Sequence, residues 1–369
     1  MAKKREKYFD PYIFYTTITL VVIGIIMVFS SSYVQAKFKM NDAYYFLKRN
    51  VIYAFMGFFT MMFVSKINYR RLEKFIPLIG GITVLLLVAV LTPLGVSFNG
   101  AKRWLGIGGL TIMPSEIAKF ASIIIVSKVI ENKKDKIGSL VQGILPPLLV
   151  STIFFALIVL QPDLSTAGTI IMTTFVMLFV AGMDFKYVYS MIGAGVGLLG
   201  IMIAIAPYRL KRLTSFLDPF KDPLGDGYQV IQSLYALGSG GLFGLGLGRS
   251  RQKFFYIPEP QNDFIFAIIG EELGYIGCIF LLLLFLFLIY RCIRVAINCP
   301  DTFSCMLVTG ITSQIGIQVM INIAVATSSM PVTGMPLPFI SYGGSSLIIF
   351  MAAIGIVLNI SRYVKLDRS

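Results

Sequence analysis

Residues 248–274 read GRSRQKFFYIPEPQNDFIFAIIGEELG, a basic, aromatic and proline-containing segment that runs directly into an apolar helix. Asp263 stands at the start of that predicted helix, and Glu271 and Glu272 follow about two turns further along it. Beyond them the sequence is almost wholly apolar from Tyr275 to Tyr290. Acidic groups at such a depth are costly unless something pairs or uses them, so the stretch predicts a site at a membrane surface.

The composition is that of a membrane protein. The chain has 369 residues, of which 56% are hydrophobic and 14% charged, whereas a soluble protein carries roughly 25% charged residues. Several apolar runs reach the length of about 20 residues that a bilayer crossing needs. We expect one polytopic transmembrane domain over residues 1–369, placed in a cell membrane.

The net charge of +14 is spread over short loops. Basic loops orient membrane proteins and lie well beside anionic lipid headgroups, so this charge does not indicate a nucleic-acid partner. The chain has no histidine, which removes the usual general base and the usual zinc ligand. The spacing of its four cysteines matches no metal motif.

The apolar runs predict an all-α fold with ten transmembrane helices. These lie near residues 11–32, 50–66, 75–92, 114–130, 142–160, 165–183, 187–206, 264–290, 302–327 and 343–361. An even count puts both termini on one side, and the short loops on that side carry most of the lysine and arginine. The charge bias therefore predicts cytoplasmic termini, with a large extracytoplasmic loop, 207–263, between helices seven and eight.

Two outer motifs precede that loop. Arg103 and the single tryptophan, Trp104, read as an interfacial anchor on composition alone. After a helix start at Pro114, Glu116 and Lys119 share one helix face because they are three residues apart. A silent ion pair and a polar cavity are equally compatible with that spacing.

Asp163 follows Pro162 between two apolar segments with almost no loop. Proline interrupts a helix, and an aspartate in this position can cap the next one. The same carboxylate could instead face a cavity shared with the other outer residues. Capping is the favoured interpretation from the local sequence.

The large loop contains a basic and apolar segment at helical spacing, 208–217, which predicts a helix lying in the membrane interface. A second short helix is predicted at 228–237. The glycine-rich residues 238–248 lack the strand and the lysine of a nucleotide-binding loop. Next to Arg249, Arg251 and Lys253 they could bind a phosphate through amides and charge, or simply form a mobile loop.

The last outer loop, 328–346, is rich in proline and glycine and contains Ser341, a candidate substrate contact. Non-helical backbone at membrane depth is tolerated only where protein or a water-filled cavity covers it. We therefore expect this loop to fold into the protein as a re-entrant or lid-like element.

These side chains suit a lipid-linked diphosphate sugar. Asp263 is the best candidate for a base that deprotonates an attacking hydroxyl, and the outer cations would offset the charge on a departing diphosphate. A divalent cation, Mg or Mn, held by Asp263 or Glu116 is compatible with this chemistry, although no ligand spacing requires it. The same residues would also suit a transporter of anions.

Six motifs, in order along nearly the whole chain, resemble the SEDS family of shape, elongation, division and sporulation proteins. They are GAKRWL, PSEIAK, QPDLST, RLTSFLDPFKDPLGDGYQVIQSLYALGSGGLFGLGLG, PEPQNDFIFAIIGEELG and PVTGMPLPFISYGGSS. The resemblance implies a ten-helix peptidoglycan glycosyltransferase that uses lipid II with a class B penicillin-binding transpeptidase. It puts the family's essential aspartate on Asp263, its Arg-Trp pair on Arg103 and Trp104, and its fourth-helix pair on Glu116 and Lys119.

The sequence is most similar to the division and sporulation branch, FtsW and SpoVE, with the rod-elongation branch, RodA, as the alternative. This implies divisome or sporulation proteins as further partners in a bacterial cell membrane. Many family members have a histidine where this chain has Gln261, so that histidine is not required for the reaction. A lipid II flippase and a scaffold that only recruits the transpeptidase are the remaining interpretations.

Overall fold

The structure, a computed structural model, describes residues 9–98, 101–107, 110–205, 207–225 and 227–364. Within them the chain is mainly helical, with a small sheet between the fourth and fifth helices. The helices are α1 (Pro11–Met40), α2 (Tyr45–Lys66), α3 (Arg70–Lys74), α4 (Ile76–Leu91), α5 (Pro114–Lys133), α6 (Leu145–Val159), α7 (Leu164–Val180), α8 (Phe185–Ile205), α9 (Pro207–Leu217), α10 (Tyr228–Gly240), α11 (Ile265–Ile297), α12 (Thr302–Ala326) and α13 (Gly344–Ser361).

Each of the ten predicted apolar segments coincides with a helix, namely α1, α2, α4 to α8 and α11 to α13. Within the described part of the chain, six helical stretches are long and apolar enough to cross a bilayer. They are Pro11–Met40, Leu140–Val159, Phe185–Ile205, Ile265–Ile297, Thr302–Ala326 and Gly344–Ser361. The chain therefore has the architecture of a helical multi-pass membrane protein.

The all-α prediction needs one correction, because residues 95–98, 101–107 and 110–112 form a three-stranded antiparallel sheet. Its strands are β1 (Gly95–Phe98), β2 (Ala101–Ile107) and β3 (Leu110–Ile112), in that order. The strands are short, and a segment of this length gives too little alternation to separate a sheet from a loop. The sheet matters for the site because β2 carries Arg103 and Trp104.

The core lies around α12 and α13, whose residues are mostly buried. These two helices pack against α2, α5, α7 and α11. By contrast, α8 has a single buried residue, Val188, among those described. The two predicted short helices of the large loop, 208–217 and 228–237, are confirmed as α9 and α10.

The helix α11 is broken at Gly274, where φ is +68°. The glycine-rich segment before it fills the break: Leu245 and Gly246 donate main-chain N–H groups to the carbonyls of Glu271 and Glu272, at 2.9 and 3.0 Å. In return, Tyr275 and Ile276 donate to the carbonyls of residues 241 and 242, at 2.9 and 3.1 Å.

These hydrogen bonds hold the glycine-rich residues against α11, whereas the sequence alone left open a phosphate-binding loop and a mobile loop. A Cβ atom on Gly244 would overlap the carbonyl oxygen of Glu272, and one on Gly274 would overlap the backbone of Gly244. Glycine is therefore required on both sides of the contact. The exchange satisfies main-chain groups that the helix itself leaves open, which is the condition for irregular backbone inside a membrane protein.

Candidate active site

Asp263 lies two residues before α11, on a turn that the neighbouring helix α12 holds in place. Asn322 of α12 donates from Nδ2 to the main-chain carbonyl of Asp263 at 2.8 Å. The same amide nitrogen donates to the carbonyl of Met335, also at 2.8 Å. The buried side chain of Asn322 thus hydrogen-bonds both the turn that carries Asp263 and the loop 328–346, which the sequence predicts as the last outer loop.

That loop folds into the protein, as predicted for residues 328–346. Ser341 donates from Oγ to the carbonyl of Asn262 at 2.7 Å and accepts the N–H of Leu337 at 2.7 Å. The N–H of Tyr342 reaches the carbonyl of Gln261 at 2.9 Å. Ser341 thus connects the loop to the turn that carries Asp263.

Asp263 is a partly buried carboxyl group with charges of both signs around it. Burial raises its pKa to about 6, from an ordinary value of 3.8, and the nearby carboxylates of Glu259 and Asp163 act in the same direction. The guanidinium groups of Arg212 and Arg103 oppose this rise in pKa. The structure therefore brings Asp163, Arg103 and Arg212 within electrostatic reach of Asp263.

Arg103 extends from β2 to the turn before α7. Its Nε donates to the carbonyl of Gln161 at 3.4 Å, its Nη2 donates to the carbonyl of Pro162, and its Nη1 lies 3.9 Å from Asp163 Oδ2. Asp163 also caps α7, because its Oδ1 accepts the N–H of Thr166 at 3.1 Å. Asp163 therefore caps α7 with one carboxylate oxygen and faces Arg103 with the other.

Trp104 follows Arg103 on β2, where it lies opposite Val96 of β1 in the sheet register. The indole is partly buried. Its neighbour in sequence, Leu105, is buried, as the alternation of a strand requires. The sheet thus gives the Arg-Trp pair a fixed backbone that the sequence did not reveal.

Glu116 and Lys119 form a buried ion pair, with 2.8 Å between Glu116 Oε1 and Lys119 Nζ. Ser346 of α13 donates to the other oxygen of Glu116 at 2.8 Å. Lys119 donates to Gln318 of α12 at 2.8 Å, and Gln318 donates to the carbonyl of Pro336 at 2.9 Å. The pair connects α5, α12, α13 and the last outer loop.

The three basic residues that follow the glycine-rich segment, 249, 251 and 253, lie in different environments. The ammonium group of Lys253 is fully buried and 2.9 Å from Glu272 Oε1, and Ser30 of α1 donates to the other oxygen of Glu272 at 2.5 Å. The structure therefore places Lys253 in the interior and not among cations that face a substrate. Arg249 and Arg251 are exposed.

Glu271 organises this segment through its carboxylate. It accepts the hydroxyl of Ser250, the N–H of Arg251 at 2.8 Å and the N–H of Gln252 at 3.4 Å. The two glutamates thus brace the loop that leads to Asp263.

Sequence reasoning missed Arg212 as a partner of Asp263. Arg212 lies on α9, far from Asp263 in sequence, and donates from Nη1 to the carbonyl of Val332 at 3.1 Å. The basic pattern of 208–217 predicted the helix but attributed its charges to lipid headgroups. Only the packing of α9 against the last outer loop shows that one of these cations reaches the site.

The residues described do not form a metal centre of their own. No group of three or more aspartate, glutamate, cysteine or histidine side chains among them is arranged to hold a metal ion. Both oxygens of Glu116 are already bound, to Lys119 and to Ser346. Glu116 is therefore a poor second ligand for an ion at Asp263, and no chemical step below depends on one.

A family model described as cell cycle protein, FtsW/RodA/SpoVE, matches residues 11–366. The chain belongs to the FtsW/RodA/SpoVE family. Among members of this family, the chain is 47% identical over 352 residues to stage V sporulation protein E of Bacillus subtilis (strain 168), covering 95% of this chain and 96% of that protein. It is 40% identical to a probable peptidoglycan glycosyltransferase FtsW of Geobacter sp. (strain M18), covering 98% and 99%.

The fold is also shared with solved members of the FtsW/RodA/SpoVE family. A chain from a peptidoglycan synthase complex that coordinates polymerization and crosslinking superposes with a TM-score of 0.81 at 30% identity, covering 97% of this chain and 99% of that one. The rod shape determining protein RodA of Thermus thermophilus superposes with a TM-score of 0.72 at 27% identity, covering 97% and 98%. These comparisons confirm the resemblance to the SEDS family expected from the six motifs.

Proposed function

We propose that the protein is a peptidoglycan glycosyltransferase that polymerises lipid II at the outer surface of the cell membrane. The observation that carries the proposal is the Asp263 carboxyl group, just before α11 and within electrostatic reach of the guanidinium groups of Arg103 and Arg212. The names of the FtsW relatives support the reaction class. Ten crossings with both termini in the cytoplasm would put Asp263 outside.

In the proposed reaction, Asp263 removes the proton from the 4-hydroxyl of the acceptor sugar. The hydroxyl oxygen then forms a bond to the anomeric carbon of the donor, and the bond between that carbon and the diphosphate breaks. The electron pair of the broken bond leaves with the lipid diphosphate. Arg103 and Arg212 stabilise the charge that develops on it.

The raised pKa of Asp263 suits this role. A carboxyl group with a pKa of about 6 is mostly ionised at neutral pH, so it can accept a proton. It is also a stronger base than an aspartate at its ordinary pKa, which favours proton transfer in the transition state. Partial burial thus improves the base without neutralising it.

The partner in this proposal is a class B penicillin-binding transpeptidase, which crosslinks the strands as they form. The solved complex that couples polymerization with crosslinking contains a chain of the same fold. The similarity to stage V sporulation protein E and to FtsW proteins favours a role in sporulation or division over rod elongation.

The test is strand synthesis from lipid II by the purified protein with its transpeptidase partner. We expect polymer from the wild type and from Asp42→Asn, which makes the same chemical change in an exposed loop where Asp42 binds Lys48. Asp263→Asn should make no polymer while unfolding at a temperature no lower than that of the wild type. Polymer from Asp263→Asn, or transfer of labelled lipid II across vesicles without any growth of strands, would contradict the proposal.

A further inference from the structure

A cavity of about 340 Å³ is lined by Arg212, whose guanidinium group is within electrostatic reach of Asp263. It lies between α9, α10 and the last outer loop, with Arg212, Ser215, Phe216, Tyr228, Gln229 and Val332 in its wall. Its volume falls within the range of about 300–1,000 Å³ that small-molecule sites occupy. It is therefore large enough to hold part of a substrate.

The cavity is connected to the catalytic carboxyl group at two points. Arg212 lines it, donates to the carbonyl of Val332 at 3.1 Å, and lies within electrostatic reach of Asp263. Two residues after Val332, Gly334 is so close that a Cβ atom placed on it would lie 3.5 Å from Asp263 Oδ2. Arg212 and the segment from Val332 to Gly334 thus relate the wall of the cavity to the surroundings of Asp263.

The wall of the cavity combines two kinds of side chain. Phe216 and Tyr228 offer aromatic surface, on which the C–H face of a sugar ring can pack. Gln229 can donate and accept hydrogen bonds, and Arg212 can donate to hydroxyl or N-acetyl oxygens. The hydroxyl of Ser215 already donates to the carbonyl of Lys211 at 2.9 Å, so Ser215 can accept a hydrogen bond from a ligand. A site for a diphosphate would need several cations, and a site for a lipid chain would lack the amide and hydroxyl groups.

We infer that this cavity binds the acceptor amino sugar and presents its hydroxyl to Asp263. The inference rests on the proposed polymerase function and specifies where one of its two substrates lies. Gln229 and Tyr228 are then specificity-determining residues that recognise an N-acetylated sugar, and Arg212 acts at the boundary between the sugar and the departing diphosphate.

The test measures sugar binding separately from catalysis. The probe is the soluble disaccharide of N-acetylglucosamine and N-acetylmuramic acid, and binding to the purified full chain in detergent is followed by saturation-transfer NMR. We expect wild type and Tyr235→Ala to bind equally, because Tyr235 lies exposed on the same helix and outside the cavity wall. Tyr228→Ala and Gln229→Ala should each weaken binding about tenfold or more.

Strand synthesis provides the second readout. Tyr228→Ala and Gln229→Ala should raise the KM for lipid II more than they lower kcat, whereas Asp263→Asn should keep disaccharide binding and lose synthesis. Absence of binding to the wild type, or wild-type binding and KM in both cavity variants, would overturn the inference. Gln229→Ala removes little volume, so it decides the question if Tyr228→Ala fails to fold.

The two proposals fail in different ways. Disaccharide binding that depends on Tyr228, in a wild type that makes no strands, would leave the sugar site standing and overturn the polymerase. Strand synthesis that depends on Asp263, with a KM for lipid II unchanged by the cavity variants, would support the polymerase function and overturn the sugar site.

Discussion

Asn322 of α12 donates to the main-chain carbonyl of Asp263 at 2.8 Å, so the position of the base depends on a helix that follows it in the chain. The same nitrogen, Nδ2, also donates to the main-chain carbonyl of Met335. Asp263 is therefore placed by tertiary packing as well as by the start of its own helix.

The first prediction concerns this amide. Asn322→Leu keeps the approximate size of the side chain but leaves two buried carbonyl groups without a donor, at a cost of about 1–3 kcal/mol each. We expect kcat of strand synthesis to fall about tenfold or more, because even a small displacement of the base is costly. Asn298→Leu is the control, since Asn298 binds only the carbonyl of Arg294 at an exposed position. Equal kcat for the two variants would contradict the assigned role of Asn322.

The second prediction concerns pH. The rate should fall as pH decreases through about 6, where Asp263 becomes protonated. Arg212 lowers the pKa of Asp263, so Arg212→Gln should move the profile to higher pH. Glu259 raises that pKa, so Glu259→Gln should move it to lower pH. Profiles of kcat/KM against pH report the pKa of the free enzyme and check both shifts, and displacement of the two variants in one direction would refute the electrostatic account.

The third prediction concerns stability. The pKa of Asp263 is higher in the folded protein than the ordinary value of 3.8, so ionising this group destabilises the fold. Asp263→Asn should therefore unfold a few degrees above the wild type at pH 7.5. The difference should shrink as pH falls from about 6 towards 3.8, the pKa of the unfolded state, and should vanish well below it, where the carboxyl group is protonated in both states. Thermal unfolding in detergent at several pH values measures it; a variant less stable than wild type at pH 7.5 would count against the raised pKa.

The fourth prediction concerns the buried pair of Glu116 and Lys119. Lys119→Met alone leaves an unpaired buried carboxylate and should destabilise the protein by about 3–5 kcal/mol. The double variant Glu116→Gln with Lys119→Met should recover most of that loss, because neither charge remains. Chemical denaturation of the wild type, the two single variants Lys119→Met and Glu116→Gln, and the double variant closes the cycle. If the double variant folds as well as wild type but makes no strands, the pair acts in substrate binding and not only in packing.

The fifth prediction concerns the break in α11. Gly244→Ala should destabilise the protein by at least about 1–3 kcal/mol, because alanine is strained at φ +78° and its Cβ would meet the backbone of Glu272. Gly195→Ala on α8 is the control, since a Cβ there meets open space. Comparable unfolding temperatures for the two variants would show that the glycine-rich segment does not pack into the break.

Much of the site could be predicted from sequence. Asp263 stands out because it is an acid between a proline-rich turn and an apolar helix, and both signals are local. For Lys253 the local pattern misleads, because it predicts this residue as one of the cations that contact a substrate. Its neighbours in sequence are basic and exposed, but its side chain turns inward to Glu272, which a local pattern does not reveal.

The sequence by itself determined the class of protein, the position of ten helical segments and the acid just before α11, because a chain that spans a membrane carries its apolar pattern within the residues of each segment. Only the tertiary structure decided which charges are neutralised in pairs and which remain at the site. Arg212 reaches Asp263, and the glycines fill the break in α11, through contacts between segments distant in the chain. Such contacts depend on how the helices pack, and a helix's own pattern of residues is compatible with many packings.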